Sequence, residues 1–201
     1  GEVAWTLAEA MKTRAFWLMA FCTAVPSMVG TGLTFHFISI LGERGVGEAS
    51  AATVLGIIAG VSFPSTFLAG YVLDRLKVHH VIAVTYVLQA GTLVMLLFVN
   101  SLAGAILFGV LRGFLQGFEA IAGNVVWPNY FGRKYQGSIR GFVMTVMVVA
   151  SALGPLPFGA AFDFFGGYTQ VILVMMLFPA IGSIAAALAP KPDKQRGYVR
   201  V

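Results

Sequence analysis

Arg112, Gln116 and Glu119 stand at i, i+4 and i+7 in a stretch from Leu102 to Trp127 whose only other strongly polar residue is Asn124. On a helix these three residues share one face. Arg112 lies about ten residues, roughly 15 Å, from the outer end of that stretch, which is mid-hydrocarbon if the stretch crosses a bilayer. An unpaired arginine at that depth costs at least about 2.5 kcal/mol, so it must face a cavity or a partner. The chemistry open to Arg112 is receipt of a solute carboxylate, while Glu119 is suited to proton coupling or to holding the empty site. Two helical turns separate them, so the spacing predicts no tight direct pair and leaves Gln116 or water as the connection. A structural polar network bracing helix contacts would use the same residues, and that reading stays open. Histidine is the residue type that changes charge near neutral pH, so His36, between Phe35 and Phe37, could gate or couple to protons. An interfacial histidine in an aromatic belt is the alternative. Asn124 reads as a helix-packing hydrogen bonder.

No Ser/His/Asp set, no histidine pair at metal-ligand spacing within a helix and no phosphate loop is visible. The expectation is therefore no enzyme, no cofactor and no metal, with His79-His80 read as a solvated turn. Cys22 is the single cysteine, so neither an internal disulfide nor a cysteine-based metal site can be built.

The elements that would position these groups follow from hydropathy. Hydrophobic residues make up 58% of the chain and charged residues 10%, against about a quarter charged in ordinary soluble domains. The pattern predicts an all-α polytopic membrane protein with six spans, at about 15–41, 51–73, 78–99, 102–127, 139–162 and 168–189. An amphipathic lead (1–14) precedes them and a basic tail (190–201) follows. Lys12, Arg14, Arg75, Lys77, Arg133, Lys134, Arg140, Lys191, Lys194, Arg196 and Arg200 all fall on one predicted side, which takes 11 of the 13 basic residues. The other side holds Arg44 among Glu43, Glu48 and Asp163. That asymmetry predicts that both termini are cytoplasmic. The net charge of +5 is then a topology signal, and no nucleic-acid partner is expected, because the aromatic interleaving that single strands need is missing. The chain starts at Gly1 and lacks a cleavable-signal pattern, so it reads as a fragment whose N-terminal portion is absent. Prolines 26, 64, 155, 157 and 179 and the row Gly109, Gly113, Gly117 read as bends and close-packing positions.

A weak repeat divides the spans three plus three. Gly70-x-x-x-Asp74 recurs as Gly159-x-x-x-Asp163, and Arg44 as Arg133, all at an offset of 89 residues. Three spans separate the copies, so they face opposite sides of the membrane, an inverted repeat of the kind found in secondary transporters.

The loop Gly70-Tyr-Val-Leu-Asp74-Arg75-Leu-Lys77-Val78 resembles the cytoplasmic signature loop of the major facilitator superfamily, with Lys77 and Val78 in place of the usual basic continuation. Trp127-Pro-Asn-Tyr-Phe-Gly-Arg133-Lys-Tyr-Gln-Gly137-Ser-Ile-Arg140-Gly looks like the segment between the tenth and eleventh helices of the oxalate/formate and monocarboxylate carrier branch. Gly154-Pro155-Leu-Pro-Phe-Gly159-Ala-Ala-Phe-Asp163 is similar to that branch's eleventh helix, and Thr6 to Trp17 to its lead into the seventh. The resemblance implies the C-terminal six-helix half of a carrier working by alternating access. Its partners would be a small solute, the lipid bilayer and an N-terminal half absent here, in a plasma or inner membrane. It assigns Gly70, Asp74, Arg75, Arg133 and Arg140 to conformational gating. In the family the loop's Asp meets a helix N-terminus of the opposite half and holds the outward-open state, with Arg133 and Arg140 as its local partners here. It also places Tyr86 and Gln89 on a peripheral helix, outside the site. Spans 51–73 and 141–162 carry no interior charge, unlike the branch's eighth and eleventh helices, so the family's substrate does not transfer. An organic anion is favoured because the one central charge is positive. Two other readings are a non-transporting sensor or scaffold and a half-carrier that dimerises.

Overall fold

The computed structural model describes residues 4–194, so Glu2, Arg196 and Arg200 lie outside the described residues. Those residues form eight helices and no strand: α1 Leu7–Ala10, α2 Arg14–Glu43, α3 Glu48–Leu73, α4 Val78–Phe98, α5 Leu102–Phe131, α6 Gln136–Leu153, α7 Pro155–Phe165 and α8 Thr169–Ala187. Six spans long and apolar enough to cross a bilayer result, with α6 and α7 together making the fifth. The protein is all-helical and integral to the membrane.

Local chemistry sets the helix ends. Thr13 Oγ1 accepts from the Phe16 N–H at 3.2 Å and Ser101 Oγ from the Gly104 N–H at 3.3 Å, two N-caps that satisfy amides the helix leaves orphaned. α5 runs through Pro128 to Phe131 and stops at Gly132, whose φ of 75° few other residues adopt. The fifth span is not one unbroken helix. Pro155 offers no N–H to the Ser151 carbonyl, and the Gly154 N–H turns to it instead at 3.2 Å, marking a bend between α6 and α7.

The inverted repeat appears directly in the packing. α3 lies against α5 as α6 and α7 lie against α2, while α4 against α5 is matched by α8 against α2, and α4 and α8 face each other. At the α3–α5 crossing, a Cβ on Gly113 would stand 2.5 Å from the Ile58 carbonyl oxygen, and one on Gly117 2.6 Å from Ser65 Cβ. Eighty-nine residues beyond Met28 and Ser65 are Gly117 and Gly154, and a Cβ on Gly154 would collide with the Met28 carbonyl. The same crossing therefore occurs twice, with the glycine on opposite partners. Close backbone approach drives such contacts, because lipid removes the hydrophobic gain from helix association.

The bundle ends are fixed by loops and side chains. At the end carrying both described termini, Phe16 makes edge contacts with Trp127 at 5.5 Å and Phe131 at 5.9 Å. The Trp5 N–H bonds the Phe131 carbonyl at 3.0 Å, and Lys194 reaches Ala4 O at 2.7 Å and Glu9 Oε2 at 2.9 Å. At the opposite end Arg44 donates to the Leu97 carbonyl and to Thr169 Oγ1, and Glu43 Oε2 accepts from the Tyr168 N–H. Asp74 follows α3 at the terminal end, whereas Asp163 sits in α7 near Tyr168 at the other.

His79 departs from the solvated-turn reading. It is the second residue of α4 and buried, with its ring 4.2 Å from that of exposed His80.

Candidate functional site

A cavity of about 740 Å³ opens between α2, α3, α4 and α5, with Met147 of α6 at its wall. Arg112, Gln116 and Glu119 all line it. The glycine row holds one face of α5 against α3, so the adjacent polar face is turned to the cavity and away from lipid.

Arg112 and Glu119 pair directly, which overturns the expectation of a water or Gln116 bridge. Arg112 Nη1 stands 3.1 Å from Glu119 Oε2, and the two side chains are 6% and 5% exposed. The physical reason is reach: two long side chains on one face lean toward each other along the axis and close a two-turn gap. Gln116 lines the cavity as an exposed side chain and joins neither partner.

The residue that joins them is Gln89. Its Oε1 accepts from the same Arg112 Nη1 at 3.2 Å, and its side chain comes from α4. Gln89 is 2% exposed, so its exclusion from the site is corrected: α4 packs between α5 and α8, and this face is interior. The available sequence signal was a carboxamide in an otherwise apolar span, which a bilayer tolerates only with a partner. Two atoms of the cluster lack a partner, Gln89 Nε2 and Glu119 Oε1. On α2, Gly30 lies beside the guanidinium: a Cβ there would stand 3.4 Å from Arg112 Nη2, an ordinary contact.

Tyr86, also left out from sequence, lines the cavity and donates its hydroxyl to the Cys22 carbonyl. That carbonyl is free because Pro26, four residues on, has no N–H to return to it. Gly182 of α8 supplies the notch for the ring, since a Cβ there would lie 2.6 Å from Tyr86 Cδ2. α5 repeats this arrangement. Pro128 frees the Asn124 carbonyl, and Arg140 Nη2 donates to it at 3.2 Å and to Asn124 Oδ1 at 2.8 Å. Asn124 Nδ2 bonds the Ala120 carbonyl at 2.8 Å, and the residue lines the cavity.

His36 does not join the Arg112 cluster. Its Nδ1 lies 3.2 Å from the Gly32 carbonyl oxygen, its ring stacks on Phe158 at 5.6 Å, and Tyr168 tilts against it at 5.7 Å. It therefore belongs to the α2–α7 seam. Of the gating set, Gly70 closes α3 by accepting the Asp74 N–H at 3.0 Å, and Arg75 lies over the Tyr71 ring at 4.2 Å. Asp74 and Arg133 are exposed. Among the described residues no ion pair reaches Asp74, and Arg140 is engaged with Asn124 instead. Among the described residues no cluster of His, Cys, Asp or Glu fit to hold a metal was found.

Comparison with known proteins places this arrangement in context. The model of the Major Facilitator Superfamily matches residues 2–155. The aspyridones efflux protein of Emericella nidulans is 24% identical over 160 residues, covering 79% of this chain and 33% of that relative. The chain thus spans about a third of that relative's length.

Proposed function

The chain belongs to the Major Facilitator Superfamily, and from that premise we propose that it is one six-helix half of a secondary active carrier moving a small organic solute by alternating access. The observation that carries the reading is the buried Arg112–Glu119 pair at the wall of a 740 Å³ cavity. The volume is that of a small-molecule site, and a buried ion pair in a membrane interior is a functional feature more often than a brace.

The favoured solute is an organic anion such as a monocarboxylate or dicarboxylate. The empty site is neutral because Glu119 occupies Arg112. A carboxylate competes for the guanidinium, and Glu119 is then released or takes up a proton, which avoids leaving a second buried charge unpaired. Where the exchange proceeds by protonation, Glu119 would couple transport to a proton gradient; where it proceeds by release, Glu119 holds the site only while it is empty. Outward transport is supported by the relative, whose name describes an efflux protein. The partner six-helix half would complete the cavity, both termini of this segment would be cytoplasmic, and Gly70, Asp74, Arg75, Arg133 and Arg140 would form the gate on that face. His36 would serve the α2–α7 seam during the cycle.

The test is uptake of radiolabelled acetate, benzoate and succinate into proteoliposomes holding the complete carrier. Arg112→Gln is expected to weaken apparent affinity by about tenfold or more, the loss of one charged hydrogen bond, and Glu119→Gln to remove dependence on a proton gradient. Unchanged affinity and rate in Arg112→Gln takes the residue out of the site. Absence of transport for every solute favours the scaffold reading.

A further inference from the structure

We propose that Gln89, on α4, is a positioning residue of the solute site: it keeps the Arg112 guanidinium aimed into the cavity through the steps in which Glu119 lets go of it. This rests on Arg112 being the solute-binding cation.

The geometry gives the two partners different roles. One nitrogen, Nη1, carries both bonds, to Gln89 Oε1 at 3.2 Å and Glu119 Oε2 at 3.1 Å. A solute that displaces Glu119 inherits one N–H while the other remains held. Glu119 lines the cavity and grips Arg112 through a single oxygen, its Oε1 having no partner. Gln89 does not line the cavity and is 2% exposed, so a solute entering the cavity meets Glu119 first. Glu119 is therefore the exchangeable partner and Gln89 the retained one.

The unmet Nε2 of Gln89 points the same way. A methionine would fill a similar volume without burying an unsatisfied donor, so the amide contributes through its oxygen, and that oxygen touches Arg112. On the other edge Nη2 lies beside Gly30 of α2, where a Cβ would stand in ordinary contact at 3.4 Å. The hydrogen bond that holds the guanidinium from another helix thus comes from α4. An arginine deprived of every acceptor at this depth would be driven towards lipid headgroups or water, and the site would not re-form for the next solute.

The test reads the accessibility of Arg112 to phenylglyoxal by peptide mass spectrometry, using the complete carrier in lipid nanodiscs. Five proteins are compared: the parent, Gln89→Met, Glu119→Met, the double variant and Gln89→Glu. Adding Gln89→Met to Glu119→Met removes both acceptors and is expected to speed modification of Arg112 about tenfold, while adding it to the parent does so only about threefold, because the partners substitute for one another. Gln89→Glu keeps an acceptor oxygen and should stay slow. An unchanged rate in the Glu119→Met background or a fast Gln89→Glu overturns the proposal. If Arg112→Gln leaves transport unchanged while the labelling order holds, the solute assignment has failed and the positioning role has not.

Discussion

Arg112 and Glu119 form a buried pair whose members need each other more than the fold needs the pair. Removing one leaves a charge in low dielectric, a loss of about 3 kcal/mol or more, whereas removing both to well-packed residues is often close to neutral. Glu119→Gln or Arg112→Gln alone should therefore destabilise the complete protein, and the double variant Arg112→Gln/Glu119→Gln should recover most of the loss, as read by thermal unfolding in nanodiscs. Additive losses would mean that the two side chains do not interact. At the surface, Glu9 is partly exposed, and its carboxyl is held below the ordinary value of 4.5 by the Thr6 backbone N–H first and then by Lys194. A lowered folded-state value contributes stability that is present above the unfolded value and lost as pH falls through the folded one. The clasp between lead and tail should thus loosen under acid conditions. Trp5 fluorescence is expected to change below about pH 4.5 in the parent and to lose that component in Glu9→Gln.

At the scale of the element, two of the cavity-lining helices, α2 and α5, are jointed alike. Each holds a proline whose partner carbonyl four residues back is taken by a side chain from another helix, Tyr86 for Pro26 and Arg140 for Pro128. Tyr86→Phe should cost about 1 kcal/mol, the usual scale of an interhelical hydrogen bond in a membrane. In a Pro26→Ala background that cost should largely vanish, because the restored N–H reoccupies the Cys22 carbonyl. Equal penalties in both backgrounds, measured by denaturation in mixed micelles, would sink this account. Gly113 makes a sharper case. Its missing Cβ would stand 2.5 Å from the Ile58 carbonyl oxygen and 3.1 Å from Val61 Cβ, so Gly113→Leu must separate α3 from α5. A loss of at least about 2 kcal/mol is expected from overpacking, against a negligible effect for Gly137→Leu, where nothing lies within 4 Å.

For the whole molecule, the inverted repeat places Asp74 and Asp163 at opposite ends, and the Asp74 end, which gathers most of the basic residues, is the cytoplasmic one in the proposed orientation. Asp74 has no ion pair among the described residues, so in the proposed carrier its carboxylate would be available to the positive end of a helix in the partner half. Asp74→Asn is accordingly expected to shift the complete carrier towards the inward-open state. Maleimide labelling of single cysteines placed along the cavity should accelerate from the cytoplasmic side; unaltered labelling would remove Asp74 from the gate.

Much of this was legible before folding. Long apolar runs broken by short charged loops leave helices as the economical way to satisfy the backbone in lipid, so the number of spans followed from hydropathy, and the 89-residue offset carried the three-plus-three plan. The face shared by Arg112, Gln116 and Glu119 is likewise a property of helical spacing alone. What one helix cannot reveal is which neighbour completes its chemistry. Gln89 and Tyr86 are remote in sequence from the residues they serve, and only the packing of α4 between α5 and α8 turned them inward. The direct Arg112–Glu119 contact, the seam that draws His36 away from the site, and Arg140's turn from Asp74 to Asn124 were decided the same way. A one-dimensional pattern fixes the face on which a side chain lies, while its partner depends on how closely glycines let the backbones approach.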